Sequence, residues 1–89
     1  MTEISYGSAA NMSYDFDRQE VRVCATIGRA PVICRISRAY IEGRFGDQAT
    51  DIECLDAAML HFDRLTDEVG YLLATRQFQA DGSVLLGGR

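Results

Sequence analysis

"EVRVCATIGRAPVICRIS", residues Glu20 to Ser37, is the stretch whose reading decides the fold. Val21, Val23, Ala25 and Ile27 alternate with polar residues, and Ala30, Val32, Cys34 and Ile36 do so again after Gly28-Arg29. Strict alternation places every second side chain on one face of a strand, so the stretch reads as two strands of a hairpin. A glycine at the first central position of a two-residue loop supplies the positive φ of a type II′ turn. With that turn at Gly28-Arg29, Ile27 faces Ala30, Ala25 faces Val32, Val23 faces Cys34 and Val21 faces Ile36. All eight are apolar. The opposite face receives Arg22 across from Arg35, Cys24 across from Ile33 and Thr26 across from Pro31. A shift of one residue would carry Arg35 under the core, which favours an even-length loop.

The parity also sorts the cysteines. Cys24 and Cys34 point to opposite faces and cannot form a disulfide without backbone movement. Three cysteines with no CxxC spacing fit reduced thiols and a cytoplasmic setting. Cys34 is expected in the core and Cys24 on the outer face.

Upstream, Met12, Tyr14 and Phe16 alternate in the same way, and Asp17-Arg18-Gln19-Glu20 reads as a four-residue turn pairing Phe16 with Val21 and Tyr14 with Val23. Residues 1–11 show no strong pattern and are expected to be flexible, as are 87–89. Downstream, Ser37 is placed to cap a short helix with Ala39, Tyr40, Ile41 and Phe45 turned inward, ending at Gly46. Thr50 followed by Glu53 is a capping box opening a long helix. Its apolar stripe of Ile52, Leu55, Ala58, Met59, Phe62, Leu65, Val69, Leu72 and Leu73 predicts one amphipathic helix over 51–78. A helix of that length would reach about 42 Å, and Gly70 is the expected place for a kink or a close backbone approach. Asp81-Gly82 then turns the chain into a final strand over 83–86. The expected architecture is a single α+β domain: an antiparallel sheet of three to four strands, from hairpins and a C-terminal strand, on one short and one long helix.

Composition narrows the function classes. The 89 residues are 47% hydrophobic and 25% charged, the balance of an ordinary globular chain. No apolar run approaches the length of a membrane span, and the N-terminus lacks the basic and apolar regions of a signal peptide. All nine basic residues are arginines, and the net charge of −4 argues against a general nucleic-acid binder. The charge is uneven, about +4 over residues 18–44 and −6 over 47–81. No GxSxG, glycine-rich phosphate loop, HExxH or paired metal-ligand spacing occurs. No catalytic residue, cofactor or metal ligand is therefore assigned, and the lone His61 beside Phe62 reads as a partly buried or surface side chain.

Two groups remain as candidate sites. Arg22 and Arg35 face each other across the hairpin, where like charges are mildly unfavourable. With Arg18 and Arg38 they would form a small positive patch suited to carboxylate or phosphate contacts. On the long helix, Leu60 and Tyr71 project toward the acidic side near Glu53, Arg64 and Asp67, as a dimer contact would.

The run "YDFDRQEVRV", then "VICRIS" leading into "RAYIEGRFG", the helix "LDAAMLHFDRLTDEVGYLLATR" and finally "DGSVLL" resemble the small bacterial family known as domain of unknown function 1488. The resemblance covers about Tyr14 to Leu86. It rests mainly on packing and turn residues: Val21, Val23, Cys34, Ile36-Ser37, Phe45-Gly46, Phe62, Ala74 and Asp81-Gly82. It implies an α+β domain with an antiparallel sheet beside helices, and no established activity, cofactor or partner. Together these readings favour a cytoplasmic, non-enzymatic binding or regulatory accessory protein with a protein partner. The alternatives are a homodimerisation module and, less favoured, a binder of small anions or nucleic acid through the arginine patch.

Overall fold

The computed structural model describes residues 3–87. Strands β1 (Ile4–Tyr6), β2 (Ser13–Asp15), β3 (Glu20–Ile27) and β4 (Ala30–Ser37) precede helices α1 (Arg38–Phe45), α2 (Asp51–Leu60) and α3 (Phe62–Ala74), and β5 (Val84–Leu86) closes the described chain. The fold is α+β, with a mixed and mostly antiparallel sheet.

The central hairpin has the expected register at every position, Val21 with Ile36, Val23 with Cys34, Ala25 with Val32 and Ile27 with Ala30. Gly28 takes φ +62°, whereas Arg29 is not among the residues of positive φ, the combination a type II′ turn requires. Val21, Val23, Ala25, Cys34 and Ile36 are buried, and the helices cover that face.

The preceding hairpin differs from expectation by two residues. Tyr14 pairs with Val21 and Asp15 with Glu20, so the turn is residues 16–19 rather than 17–20. The Asp15 carboxylate accepts from the backbone N–H groups of Asp17 and Arg18 at 3.0 and 3.2 Å, a local turn that closes the chain before Phe16 can pair. Phe16 is consequently left 61% exposed, and Glu20 joins the strand. A two-residue shift preserves parity, so the apolar face is unchanged.

Among the described residues the sheet has five strands, not three to four. Ile4–Tyr6, within the segment expected to be flexible, pairs with β3 antiparallel from Ile4↔Ile27 to Tyr6↔Ala25. The last strand lies parallel to β4, with Cys34 opposite Val84 and Ile36 opposite Leu86. An odd reversal does not occur because the helical layer intervenes: the chain leaves β4, crosses one face of the sheet and returns in the same direction. The residues 1–2 and 88–89 of the expected flexible ends lie outside the described residues.

Helix α1 starts as its sequence dictates, with the Tyr40 N–H donating to Ser37 Oγ at 3.1 Å. Ile41 is fully buried, Tyr40 and Phe45 half-buried, but Ala39 is exposed rather than inward. At α2 the Thr50 half of the capping box forms, the Glu53 N–H donating to Thr50 Oγ1, while the Glu53 carboxylate accepts from the Ala49 N–H, one residue before the cap, both at 3.1 Å.

The expected single helix over 51–78 is instead two helices that change direction at His61, whose φ and ψ are −103° and 29°. A straight rod of about 42 Å would exceed the 40 Å long axis of the whole molecule. Turning at His61 keeps Cys54 and Ala58 of α2, and Leu65, Val69 and Leu73 of α3, over the sheet. Ile52, expected inside, is 56% exposed because Cys54 takes the inward position. Helix α3 stops at Ala74, and Phe78 lies beyond it, 42% exposed. Arg76 occupies the left-handed region at φ +57°, while its N–H donates to Leu73 O and the Gln77 N–H to Leu72 O, satisfying carbonyls of the last turn. Gly70 does not kink α3. A Cβ there would stand 3.4 Å from the Tyr6 hydroxyl, which donates to Thr66 O at 3.1 Å and ties β1 to α3.

Candidate functional site

The helix-free face of the sheet carries Glu20, Arg22 and Cys24 of β3 beside Ser37, Arg35 and Ile33 of β4, with Arg22 directly across from Arg35 as expected. Arg35 does not stand open. Its Nε donates to Glu20 Oε1 at 2.6 Å and its Nη2 to Glu20 Oε2 at 3.2 Å, a bidentate fork. Its Nη1 donates to Ser83 Oγ at 3.3 Å, and Ser83 in turn donates to Asp81 at 2.7 Å. Only 12% of the Arg35 side chain and 5% of Glu20 remain exposed. The bond to Glu20 holds the Arg35 guanidinium even more firmly protonated than usual, against the opposing effect of burial. The Ser83 hydroxyl and N–H likewise hold the Asp81 carboxyl below its ordinary range.

Arg38 belongs to a different structure. At the start of α1 it donates to Asp51 Oδ1 and to Gln48 O, both at 2.6 Å, and to Glu42 Oε2 at 3.3 Å. It joins the beginnings of α1 and α2. Arg18 is exposed in the turn between β2 and β3 and has no ion pair among the described residues. Arg22 sits between these cases, with Nη1 3.8 Å from Asp15 Oδ2 and a side chain 43% exposed. Its Nε is sealed from solvent and has no acceptor among the described residues. Three of the four sequence-selected arginines thus have carboxylate neighbours within the fold, and one of them lies on a helix rather than the sheet.

The helical surface has another character. Leu60 and Tyr71 are 79% and 66% exposed, joined by Ile52. Where α2 gives way to α3, the His61 ring stacks on Phe45 of α1 with centroids 3.9 Å apart and planes 3° from parallel. Around that stack lies an open groove of about 500 Å³, lined by Phe45, Glu53, Asp56, Ala57, Leu60 and His61. Arg44 packs over the Phe45 and Tyr40 rings and pairs with Glu68, which also accepts from the Tyr40 hydroxyl at 2.8 Å. The groove therefore has an aromatic floor, one exposed leucine at its rim and two carboxylates along its side. Leu60 was legible in the sequence. The partnership of Phe45 with His61 was not, because no periodicity marks where a helix will break.

Cys34 and Cys54 are fully buried, and burial pushes both thiols up, Cys34 to about 11. Cys24 is exposed and uncrosslinked. Among the described residues, no three His, Cys, Asp or Glu side chains gather in a way that would hold a metal, and no helix is long and apolar enough to cross a membrane.

Comparison with known proteins adds a family and a fold. The family described as "Protein of unknown function (DUF1488)" matches residues 8–86. A crystal structure of a protein of unknown function from that family, from Shewanella loihica PV-4, is similar with a TM-score of 0.84. The likeness covers 93% of this chain and 90% of that one at 12% identity, and at that identity it speaks for the fold alone. No curated protein matches the sequence.

Proposed function

We propose, from the premise that this chain belongs to the DUF1488 family of proteins of unknown function, that it is a non-enzymatic accessory module that binds a protein partner through the α2–α3 surface. The observation that carries this reading is the groove at the helix junction, with Leu60 79% exposed at its rim beside the Phe45–His61 stack. An apolar side chain inserted there would cover Leu60, Ala57 and the stacked rings, the buried centre around which energetically important contacts cluster. Glu53 and Asp56 flank it, with Asp63 and Asp67 further along and Arg64 as the basic residue among them. A partner segment with an apolar residue between lysines or arginines has the matching chemistry. Three free cysteines suit an encounter in the reducing cytoplasm.

The arginines support the anion reading less well, since Arg35 on the sheet and Arg38 on α1 already hold carboxylates at 2.6 Å. The test is affinity capture from native extract with the parent chain and with Leu60→Asp and Asp56→Lys variants, alongside sedimentation of the pure chain at low and high salt. A partner retained by the parent and lost by both variants supports the reading. A partner retained equally by all three, or a salt-insensitive dimer abolished by Leu60→Asp, overturns it in favour of another surface or of self-association.

A further inference from the structure

The edge of β3 opposite β4 is shared by two short strands, β1 at Ala25–Ile27 and β2 at Glu20–Arg22. Between them the chain turns away through Ala9–Asn11, leaving Val23 and Cys24 without a strand neighbour on that side. On the helix-free face this interruption opens into a notch of about 220 Å³ lined by Asn11, Ser13, Arg22, Val23, Cys24 and Ile33.

One buried donor at the notch lacks a partner among the described residues. Glu20 is consumed by the two-pronged contact with Arg35, and Asp15 approaches Arg22 only at Nη1, at 3.8 Å. The Arg22 Nε–H is left with no acceptor although it is shut off from water. Buried donors are almost always satisfied, and an exception calls for an explanation. The Arg22 side chain lines the notch, is 43% exposed and is long enough to offer its Nε–Nη edge to a bound group. That edge matches the two oxygens of a carboxylate. Ser13, with no side-chain hydrogen bond among the described residues, stands on the same wall. Cys24 and Ile33, the latter 39% exposed, supply an apolar wall opposite.

Charge selects within the class of oxyanions. Arg35 is fully engaged by Glu20, while Asp15 holds Arg22 only loosely at 3.8 Å, so the face offers one partly free guanidinium, suited to a single negative charge rather than a dianion. The geometry points to a binding site for a small monocarboxylate with an apolar body, its carboxylate on the Arg22 fork and its body against Cys24 and Ile33. This site lies on the opposite side of the molecule from the α2–α3 surface and does not depend on the protein-binding reading.

Cys24 reports on occupancy directly, since it is the exposed cysteine while Cys34 and Cys54 are buried. The experiment measures the rate of Cys24 modification by N-ethylmaleimide, by mass spectrometry, with benzoate, benzyl alcohol or inorganic phosphate added at equal ionic strength. Benzoate at ten times its dissociation constant should slow the reaction about ten-fold, while benzyl alcohol and phosphate leave it unchanged. Arg22→Gln should abolish the protection, and Arg22→Lys, which keeps the charge but not the fork, should lose most of it. No protection by benzoate refutes the site. Equal protection by benzyl alcohol refutes the role of Arg22, equal protection by phosphate refutes the monocarboxylate class, and protection surviving Arg22→Gln refutes the placement. The three additives on the unmodified chain decide the matter even where a variant folds poorly.

Discussion

Glu20→Gln should destabilise the protein far more than its position on the helix-free face suggests. The substitution keeps shape and removes one charge, leaving the Arg35 guanidinium, 12% exposed, without its counter-ion. Breaking a fully buried ion pair by removing one partner costs roughly 3–5 kcal/mol. Residual solvent access and the surviving contact to Ser83 lower the expectation to about 2–3 kcal/mol. Urea denaturation followed by circular dichroism measures it: with a slope of about 1 kcal/mol/M for a small domain, the midpoint should fall by about 2 M or more. Asp15→Asn provides the internal control, since its pair with Arg22 is long at 3.8 Å and 43% exposed on the arginine side, and should cost less than about 1 kcal/mol. The double variant Glu20→Gln/Arg35→Met should recover most of the loss, because removing both charges leaves nothing uncompensated. A Glu20→Gln cost no larger than that of Asp15→Asn would show that Arg35 is not held by Glu20, and the arginine face would again be open to an external anion.

Other outcomes follow from the same geometry. Arg76→Gly relieves a non-glycine residue held at φ +57° and should stabilise the chain by about 1 kcal/mol, read as a rise of roughly 4–8 °C in Tm. Gly28→Ala, at φ +62°, should lower stability by about 1 kcal/mol in the same assay, and an unchanged Tm would contradict the type II′ turn. Alkylation of the native chain at pH 8 should modify Cys24 and spare Cys34 and Cys54, with all three reacting in denaturant; rapid native labelling of Cys34 would contradict its burial. Burial above all, with the nearby Asp51 carboxylate adding to it, pushes the Tyr14 phenol up to about 12. The folded state therefore retains this proton where the unfolded state, with an ordinary value near 10, has lost it. That contribution is complete below pH 10 and declines as pH rises toward 12, so ultraviolet titration should show a late-ionising phenol that Tyr14→Phe removes, and stability falling over that interval.

Several features were fixed locally. Gly28 and the two flanking alternations determined the central register, because one slipped residue would have exchanged the entire apolar and polar sets. Ser37, Thr50 and Glu53 determined two helix starts, because their side chains satisfy N–H groups only a few residues away. Leu60 and Tyr71 were legible as exposed because they interrupt an otherwise polar helix face. Asp15 also acted locally, yet its turn competed with the pairing of Phe16, and alternation alone could not rank the two.

What the tertiary structure alone decided depends on distance in the chain. The bend at His61 answers the size of the sheet and the position of Phe45, neither of which is encoded in the helix's own periodicity. The parallel return of the last strand depends on how three helices cross the sheet, and the β1 pairing on an edge of β3 that β2 leaves vacant. The fate of the arginines is of the same kind: a sequence reveals that Arg22 opposes Arg35, but Glu20 lies within reach of both. Only the packed sheet, with Ser83 brought alongside by β5, assigns that carboxylate to Arg35 and leaves the Arg22 Nε without an acceptor. Charge pairing is settled by three-dimensional proximity and desolvation, which alternation and composition do not carry.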